Sequence, residues 1–320
     1  MKSIAAWICA AVAAVAVNCS VSADTYPSRA TRMIVPYAAG GPTDLAARKL
    51  ADLLGPRLGQ PVVVENRGGG GGIPGTEAVA AAAPDGYTLL VGATGPLVVS
   101  PSVRTLRYDV NKDLQPIAEI WRSSQLLAAH PKVGVKTFAE FVDHARKNPG
   151  KLTIGTAGIG TLPHLLLELV NMEAGVKLVH VPYRGTAAVL PNALGGQIDA
   201  IIGDVAVIAP NVRSGALVPI AVTAPERSTL LPDVPTVAES RYPKLVAESW
   251  YGLMAPAGVP QDVMKKLVPA VQAALADPSF LEALKSQGAT VVANSPEKFG
   301  AHIRSETEKW GPVARAAGLK

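Results

Sequence analysis

The chain has 320 residues, of which 48% are hydrophobic, 17% charged and 5% aromatic, and its formal net charge is +5. Length and composition fit a globular protein of about two ordinary domains with a sizeable buried core. The basic excess is small and dispersed and no run of five Lys or Arg occurs, which argues against nucleic acid as a partner and suits a small anionic ligand or plain solubility.

The first segment, residues 1–23, reads as a secretory signal peptide. Lys2 precedes an apolar run from Ile4 to Val17, and Val21-Ser22-Ala23 forms an A-x-A-like cleavage site before Asp24. The run is short for a membrane span. Cys19 invites a lipoprotein reading, but Asn18 is a poor neighbour for lipid attachment. Both cysteines, Cys9 and Cys19, fall in this leader, so the expected mature chain has no disulfide, cysteine nucleophile or thiolate metal site. An exported chain stabilised by core size and not by disulfides fits a bacterial periplasm.

Strands and helices then alternate. "TRMIVPYA" reads as a strand, "TDLAARKLADLLGPRLG" as an amphipathic helix, "PVVVEN" as a strand, "TEAVAAAAP" as a short helix and "YTLLVGA" as a strand after the turn "PDG". The chain runs extended through "WRSSQLLAAHP", and the rhythm restarts. "TFAEFVDHARKNPG" is a helix, "KLTIGTA" a strand, "TLPHLLLELVNMEAG" a helix and "KLVHVPY" a strand. "AAVLPNALGGQ" is a helix broken at Pro191, and "IDAIIGD" and "LVPIAVTA" are strands. "ESWYGLMAP" is extended, and two closing helices follow, "PQDVMKKLVPAVQAALAD" and "SPEKFGAHIRSETEKWGPVARAAG", expected to pack on the first domain. This grammar predicts an α/β protein of two domains, each a doubly wound, mostly parallel sheet flanked by helices. The expected boundaries are 24–125 plus 250–320 for domain 1 and 126–249 for domain 2.

Gly70, Gly72 and Gly75 in "ENRGGGGGIPG" match the dinucleotide spacing G-x-G-x-x-G. That site needs an acidic residue at the end of the next strand, and the nearest, Asp85, lies before that strand in a turn. Five consecutive glycines also make chance matches easy, so no cofactor is expected. The better anion cradle is "YAAGGPTD". Tyr37, Ala38, Ala39, Gly40 and Gly41 lead into a helix start at Pro42, with Thr43 and Asp44 in its first turn. The alternative is a plain tight turn with Asp44 serving the helix end. "TIGTAGIGTLPH" repeats the device with Thr156, Ala157, Gly158, Gly160, Thr161 and, just beyond, His164. In an open α/β sheet both loops fall at the carboxyl ends of strands, where ligands bind. Tyr183, Arg184 and Gly185 end another strand, and Arg184 is either a carboxylate fork or a solvated charge. Asp204 is either a ligand contact or a helix cap, and Thr94 with Gly95 either lines the cleft or makes an ordinary turn. His164 and Glu168 have metal spacing but no third ligand, so no metal is expected. No nucleophile-and-base set is apparent, so no catalysis is expected.

Together "IVPYAAGGPTDLAAR", "GQPVVVENRGGGGGIPG", "AAPDGYTLLVG", "VPYRGT", "LGGQID", "ALVPIAVTAPERSTLLPDVPTVAES" and "SWYGLMAPAGVP" resemble the extracytoplasmic solute receptors of the Bug family, across essentially the whole chain after the leader. These receptors serve tripartite tricarboxylate transporters. The resemblance implies a two-domain periplasmic binding-protein fold (type II-like) closing on a small mono-, di- or tricarboxylate. It also implies a monomeric receptor with integral membrane transporter subunits as partners. It places the ligand among Tyr37–Asp44, Thr94, Gly95, Thr156–Thr161, His164, Tyr183–Gly185 and Asp204, held by backbone amides, small hydroxyls and waters. Asn192 and Ala193 stand where an acidic–apolar pair is common in the family, and Thr156 where Ser is frequent. These departures leave the identity of the carboxylate to the second-domain wall.

Overall fold

The structure is a computed structural model that describes residues 26–318; the leader, its cleavage site and both cysteines lie outside the described residues. The first half opens with β1 (Thr31–Val35), α1 (Pro42–Leu58), β2 (Val62–Asn66), α2 (Ile73–Ala80) and β3 (Thr88–Ala93). Short turns α3 (Ser100–Val103) and α4 (Val110–Asp113) lead into the long strand β4 (Leu114–Ala129). The second half holds α5 (Phe138–Lys147), β5 (Thr153–Thr156), α6 (Leu162–Ala174), β6 (Val179–Pro182), α7 (Thr186–Leu194), β7 (Ala200–Asp204), α8 (Val205–Arg213) and β8 (Val218–Val222). The chain returns through β9 (Glu248–Pro256) and closes with α9 (Gln261–Leu275), α10 (Pro278–Ser286), β10 (Ala289–Val291) and α11 (Pro296–Ala316).

The expected βαβ units are present, and their chemistry is plain. β1 and β3 carry continuous apolar runs because both faces are covered. α1 buries Ala46, Ala47, Leu50, Ala51 and Leu54 along one stripe and stops at Gly59 in the left-handed region. β2, β1 and β3 pair in parallel, and so do β6, β5 and β7.

The sheet as a whole is mixed. Its order is β2-β1-β3-β9-β4-β7-β5-β6, with β8 and β10 also on β4. β9 pairs antiparallel with β3 and β4, and β4 antiparallel with β7 and β8. β4 is therefore shared. Leu114 to Ser124 pair with β9, whereas Gln125 to Ala129 pair with β7. The two strands that carry the chain between the halves run in opposite directions, which sets their antiparallel pairing.

Three further details differ from the sequence expectation. α7 runs through Pro191 unbroken, because the bond that proline cannot make falls on the carbonyl of exposed Ala187 in the first turn. α2 begins inside the glycine-rich stretch, at Ile73. Between the two closing helices lie α10, capped by Asp277, and β10.

Apolar side chains unite these layers. Leu50, Leu54, Leu89, Ile120, Leu267 and Phe280 form a core under α1, α9 and α10. Val189, Ile201, Val205 and Ile208 form another under α7 and α8. A third runs across both halves, from Leu90 and Leu97 through Phe138 and Leu165 to Phe299 and Trp310 of α11. There Glu306 accepts from two indoles with one oxygen, Trp250 Nε1 at 3.1 Å and Trp310 Nε1 at 3.0 Å. No helix of the described residues is long and apolar enough to cross a membrane.

Candidate ligand-binding site

The helix starts divide into two sets. Those that follow the parallel strands β1, β2, β5, β6 and β7 begin at Gly41, Gly72, Thr161, Gly185 and Asp204, and none has a side-chain cap. The wide helical turn after β3, entered from Thr94 at Gly95, has none either. Helices α4, α5, α10 and α11 follow none of the parallel strands and are capped by Asp109, Thr137, Asp277 and Ser295, α11 starting just past the antiparallel β10. Among the described helices, α3, entered from Val99, and α9, entered from Pro260, are also uncapped. An uncapped start leaves its first N–H groups free, with the positive end of the helix dipole behind them.

The loop Tyr37–Asp44 is held from below. Asp44 is 2% exposed, and its carboxylate accepts from Gly40 N–H at 2.9 Å, Asn66 Nδ2 at 2.9 Å and Arg48 Nε at 3.0 Å. Burial opposes ionisation, but these donors win and hold its pKa below the usual carboxylate value. Asp44 therefore shapes the loop, and Gly40 N–H is already used. Ala38 and Ala39 are exposed, whereas Gly41 is partly covered and Thr43 buried. Asn66 also donates to Tyr37 C=O at 3.2 Å. The glycine stretch braces the same turn: a Cβ on Gly75 would lie 2.9 Å from Pro36 Cα and from Arg67 O. This close packing explains the glycine without any nucleotide. Thr94 is buried and accepts from Trp250 N–H at 3.2 Å, and Gly95 lies beside the Tyr37 hydroxyl.

The second loop is built on a histidine pair. His164 Nδ1 accepts from Gly160 N–H at 3.2 Å, and His180 Nε2 meets Thr156 Oγ1 at 2.6 Å. Burial, and then His180, pull the His164 pKa down to about 4, so the ring is neutral at pH 7 and its 3.8 Å approach to Glu168 is not an ion pair there. Thr161 Oγ1 donates to Gly158 O at 2.7 Å, and Gly185 N–H to Ala157 O at 3.0 Å. Gly158 has φ +129° and a Cβ there would meet Tyr183 O at 2.9 Å, so only glycine fits. Tyr183 turns its hydroxyl to Asn192 Nδ2, 2.7 Å away. Arg184 is exposed on the rim.

Two cavities bear on the site. The larger, about 570 Å³, lies off the strand ends among Leu97, Arg104, Tyr108, Asp113, Ile303 and Thr307. The smaller, about 60 Å³, sits between the starts of α1 and α8, against Pro42, Thr43, Trp121, Ser123, Asp204 and Tyr251. The chemistry favours the smaller one, because two uncapped helix starts face it. It has room for a few waters. Trp121 and Tyr251 stack on its wall, centroids 4.5 Å apart. Asp204 is half-buried; desolvation raises its pKa against the opposing pull of Gln125 and then Thr186. Burial, and then the Asp204 charge, also raise Tyr37 and Tyr251. Gln125, Trp121, Ser123 and Tyr251 are absent from the sequence-derived set. No distinctive sequence signal marks them: Gln125 follows Arg122, Ser123 and Ser124 in a polar stretch of β4.

The chain matches the family profile described as "Tripartite tricarboxylate transporter family receptor" over residues 46–319. It is 37% identical over 311 residues to "Protein BugT" of Bordetella pertussis, covering 97% of this chain and 95% of that protein. The solved structure of the periplasmic binding protein BugD is 37% identical, with TM-score 0.80 over 92% of this chain and 99% of that one. An R. palustris protein solved with adipate is 32% identical, with TM-score 0.81 over 92% of this chain and 98% of that one. With this fold and these matches along nearly its whole length, the chain belongs to the tripartite tricarboxylate transporter receptor family, the family of the Bug proteins.

Proposed function

We propose that this protein is a periplasmic solute receptor that captures a small organic carboxylate and presents it to membrane transporter subunits, without transforming it. The observation that carries the reading is the division of helix starts. The helices that follow the parallel strands start uncapped, so their free N–H groups and positive dipole ends are available to a carboxylate, and the starts of α1 and α8 face one cavity. The family and the adipate-bound relative support the same ligand class.

In this reading residues 24–125 with 250–320 form one lobe and 126–249 the other, and β4 and β9 join them. Ala39, Gly41, Thr43 and the Thr94–Gly95 turn bind from the first lobe; Ala157 to Thr161, Gly185 and Asp204 bind from the second. Asp44, His164 and Tyr183 position these loops. A carboxylate contacts both lobes only when they are together, so binding shifts the population toward closure.

Thermal unfolding of the purified protein, titrated with mono-, di- and tricarboxylates, tests this. A ligand at about 100 times its Kd stabilises by about 2.7 kcal/mol, which moves the midpoint by several degrees. A broad acid panel that leaves the midpoint unmoved would remove the reading's support.

A further inference from the structure

The cavity of about 570 Å³ is bordered by the turn Gly95–Val99, by the α3–α4 segment and by α11. Its size is that of a small-molecule site. Leu97, Val110 and Ile303 give it a buried apolar wall, extended by partly covered Leu106. No residue of the loops Tyr37–Asp44 or Thr156–Thr161 lines it.

Four charged side chains border the cavity: Arg104, Arg107, Asp109 and Asp113. The two acids are already committed. Asp109 Oδ1 accepts from Asn111 N–H at 2.9 Å, and its other oxygen meets Lys112 Nζ at 3.3 Å. Asp113 Oδ2 accepts from Asp109 N–H at 2.7 Å. This reciprocal capping holds α4 and uses both carboxylates. The two arginines are not committed in this way. Arg107 has only a 3.6 Å approach to Glu77, and no carboxylate lies within ion-pair reach of exposed Arg104 among the described residues. An apolar wall with unspent guanidinium groups at its edge complements a molecule with one anionic head and an apolar body.

The cavity also touches the candidate ligand cleft from the far side of one turn. Leu97 belongs to the wide helical turn that begins at Gly95, and the Tyr108 hydroxyl donates to Pro96 C=O of that turn at 2.6 Å. Turns of this wide type are rare and concentrate at functional positions. Thr94, just before it, accepts from Trp250 N–H.

We propose that this cavity is a second ligand site, separate from the cleft, for a single-headed amphiphilic anion. The head pairs with Arg104, with Arg107 beside it, and the apolar body lies on Leu97, Leu106, Val110 and Ile303. An occupant braces the turn Gly95–Val99 from behind.

Calorimetric titration of the purified protein at pH 7.5 with decanoate, butyrate and decyltrimethylammonium, all below their micellar concentrations, tests it. Decanoate binds at one site per chain, about a hundred-fold or more tighter than butyrate, since each buried methylene adds about three-fold. It binds about ten-fold or more tighter than the cation of equal tail. Arg104→Gln weakens decanoate about ten-fold, and Thr307→Trp, which fills the cavity from an exposed position on α11, abolishes its binding. Both variants keep a cooperative thermal transition. Gly41→Asp, which blocks a helix start of the cleft, leaves decanoate binding unchanged. Bound decanoate slows amide hydrogen exchange from Leu97 to Val99. Decanoate that binds no tighter than butyrate or the cation overturns the proposal. So does binding that survives either cavity variant, binding that is lost in Gly41→Asp, or unchanged exchange at the turn.

Discussion

The imidazole rings of His164 and His180 lie stacked, centroids 3.8 Å apart and planes 13° from parallel. Burial lowers the pKa of both, that of His164 to about 4. The unfolded chain takes up a proton on His164 near 6.5, and the native protein only near 4. This contribution is therefore whole above pH 6.5 and is lost as pH falls toward 4, with a limiting slope of about 1.4 kcal/mol for each pH unit. We expect the urea midpoint to drop by about 1–3 kcal/mol equivalent between pH 7 and 4.5. His164→Gln, which keeps an acceptor for Gly160 N–H, flattens that profile; an equally steep profile in the variant would show that the histidine is not its source.

Gly41 has φ −77° and ψ 166°, which any residue adopts, and a Cβ there meets nothing closer than 3.6 Å. Gly41→Asp supplies the missing cap to α1 and stabilises the unliganded protein by a few tenths of a kcal/mol. The same carboxylate occupies the N–H groups and repels an anion, so affinity for any carboxylate falls ten-fold or more. Melting curves and titration of one variant thus move in opposite directions. Unchanged affinity would count against this helix start as a ligand contact.

Gly75 abuts Pro36 and Arg67 backbone, so Gly75→Ala forces the loop bearing Tyr37 to shift. A loss of about 1–3 kcal/mol is expected by chemical denaturation, with weaker carboxylate binding. Wild-type stability would mean that the turn yields freely.

Asp204 has its folded pKa raised above 3.8, so its ionised form opposes folding. Its contribution is fully favourable below the unfolded pKa and declines as pH rises through the folded one. Asp204→Asn should therefore raise the unliganded melting midpoint at pH 7 by about 2 °C or more, and the gain should vanish toward pH 4. A lower midpoint at pH 7 would show that the charge is compensated.

How far the sequence carried depended on what each feature requires. The parallel βαβ units were legible because apolar runs such as Met33 to Val35 and Leu89 to Val91 alternate with Gly- and Pro-marked helix starts. The early part of β4 was not. Pro116 and Glu119 interrupt its pattern, and the ladder has irregularities at both places. Short α10 and β10 were hidden between two stronger helical patterns. The two loops were legible as anion cradles from small residues before helix starts. The occupation of Asp44 by Gly40, Arg48 and Asn66, or of the Tyr183 hydroxyl by Asn192, depends on residues 4 to 22 positions apart folding together. Gln125 belongs to no motif. Its importance comes from register with Asp204, 79 positions away.

The indoles give the molecule an optical readout. Of its four tryptophans, Trp7 lies outside the described residues, and the other three are Trp121, Trp250 and Trp310. Trp121 lines the cavity, Trp250 hands its backbone N–H to Thr94, and Trp250 and Trp310 share one oxygen of Glu306. Every indole of the described residues therefore sits at the cavity, on β9 or on α11. Occupancy and closure become readable as intrinsic emission, with Trp121 reporting the wall and the Glu306-linked pair reporting the junction, and no dye need be attached.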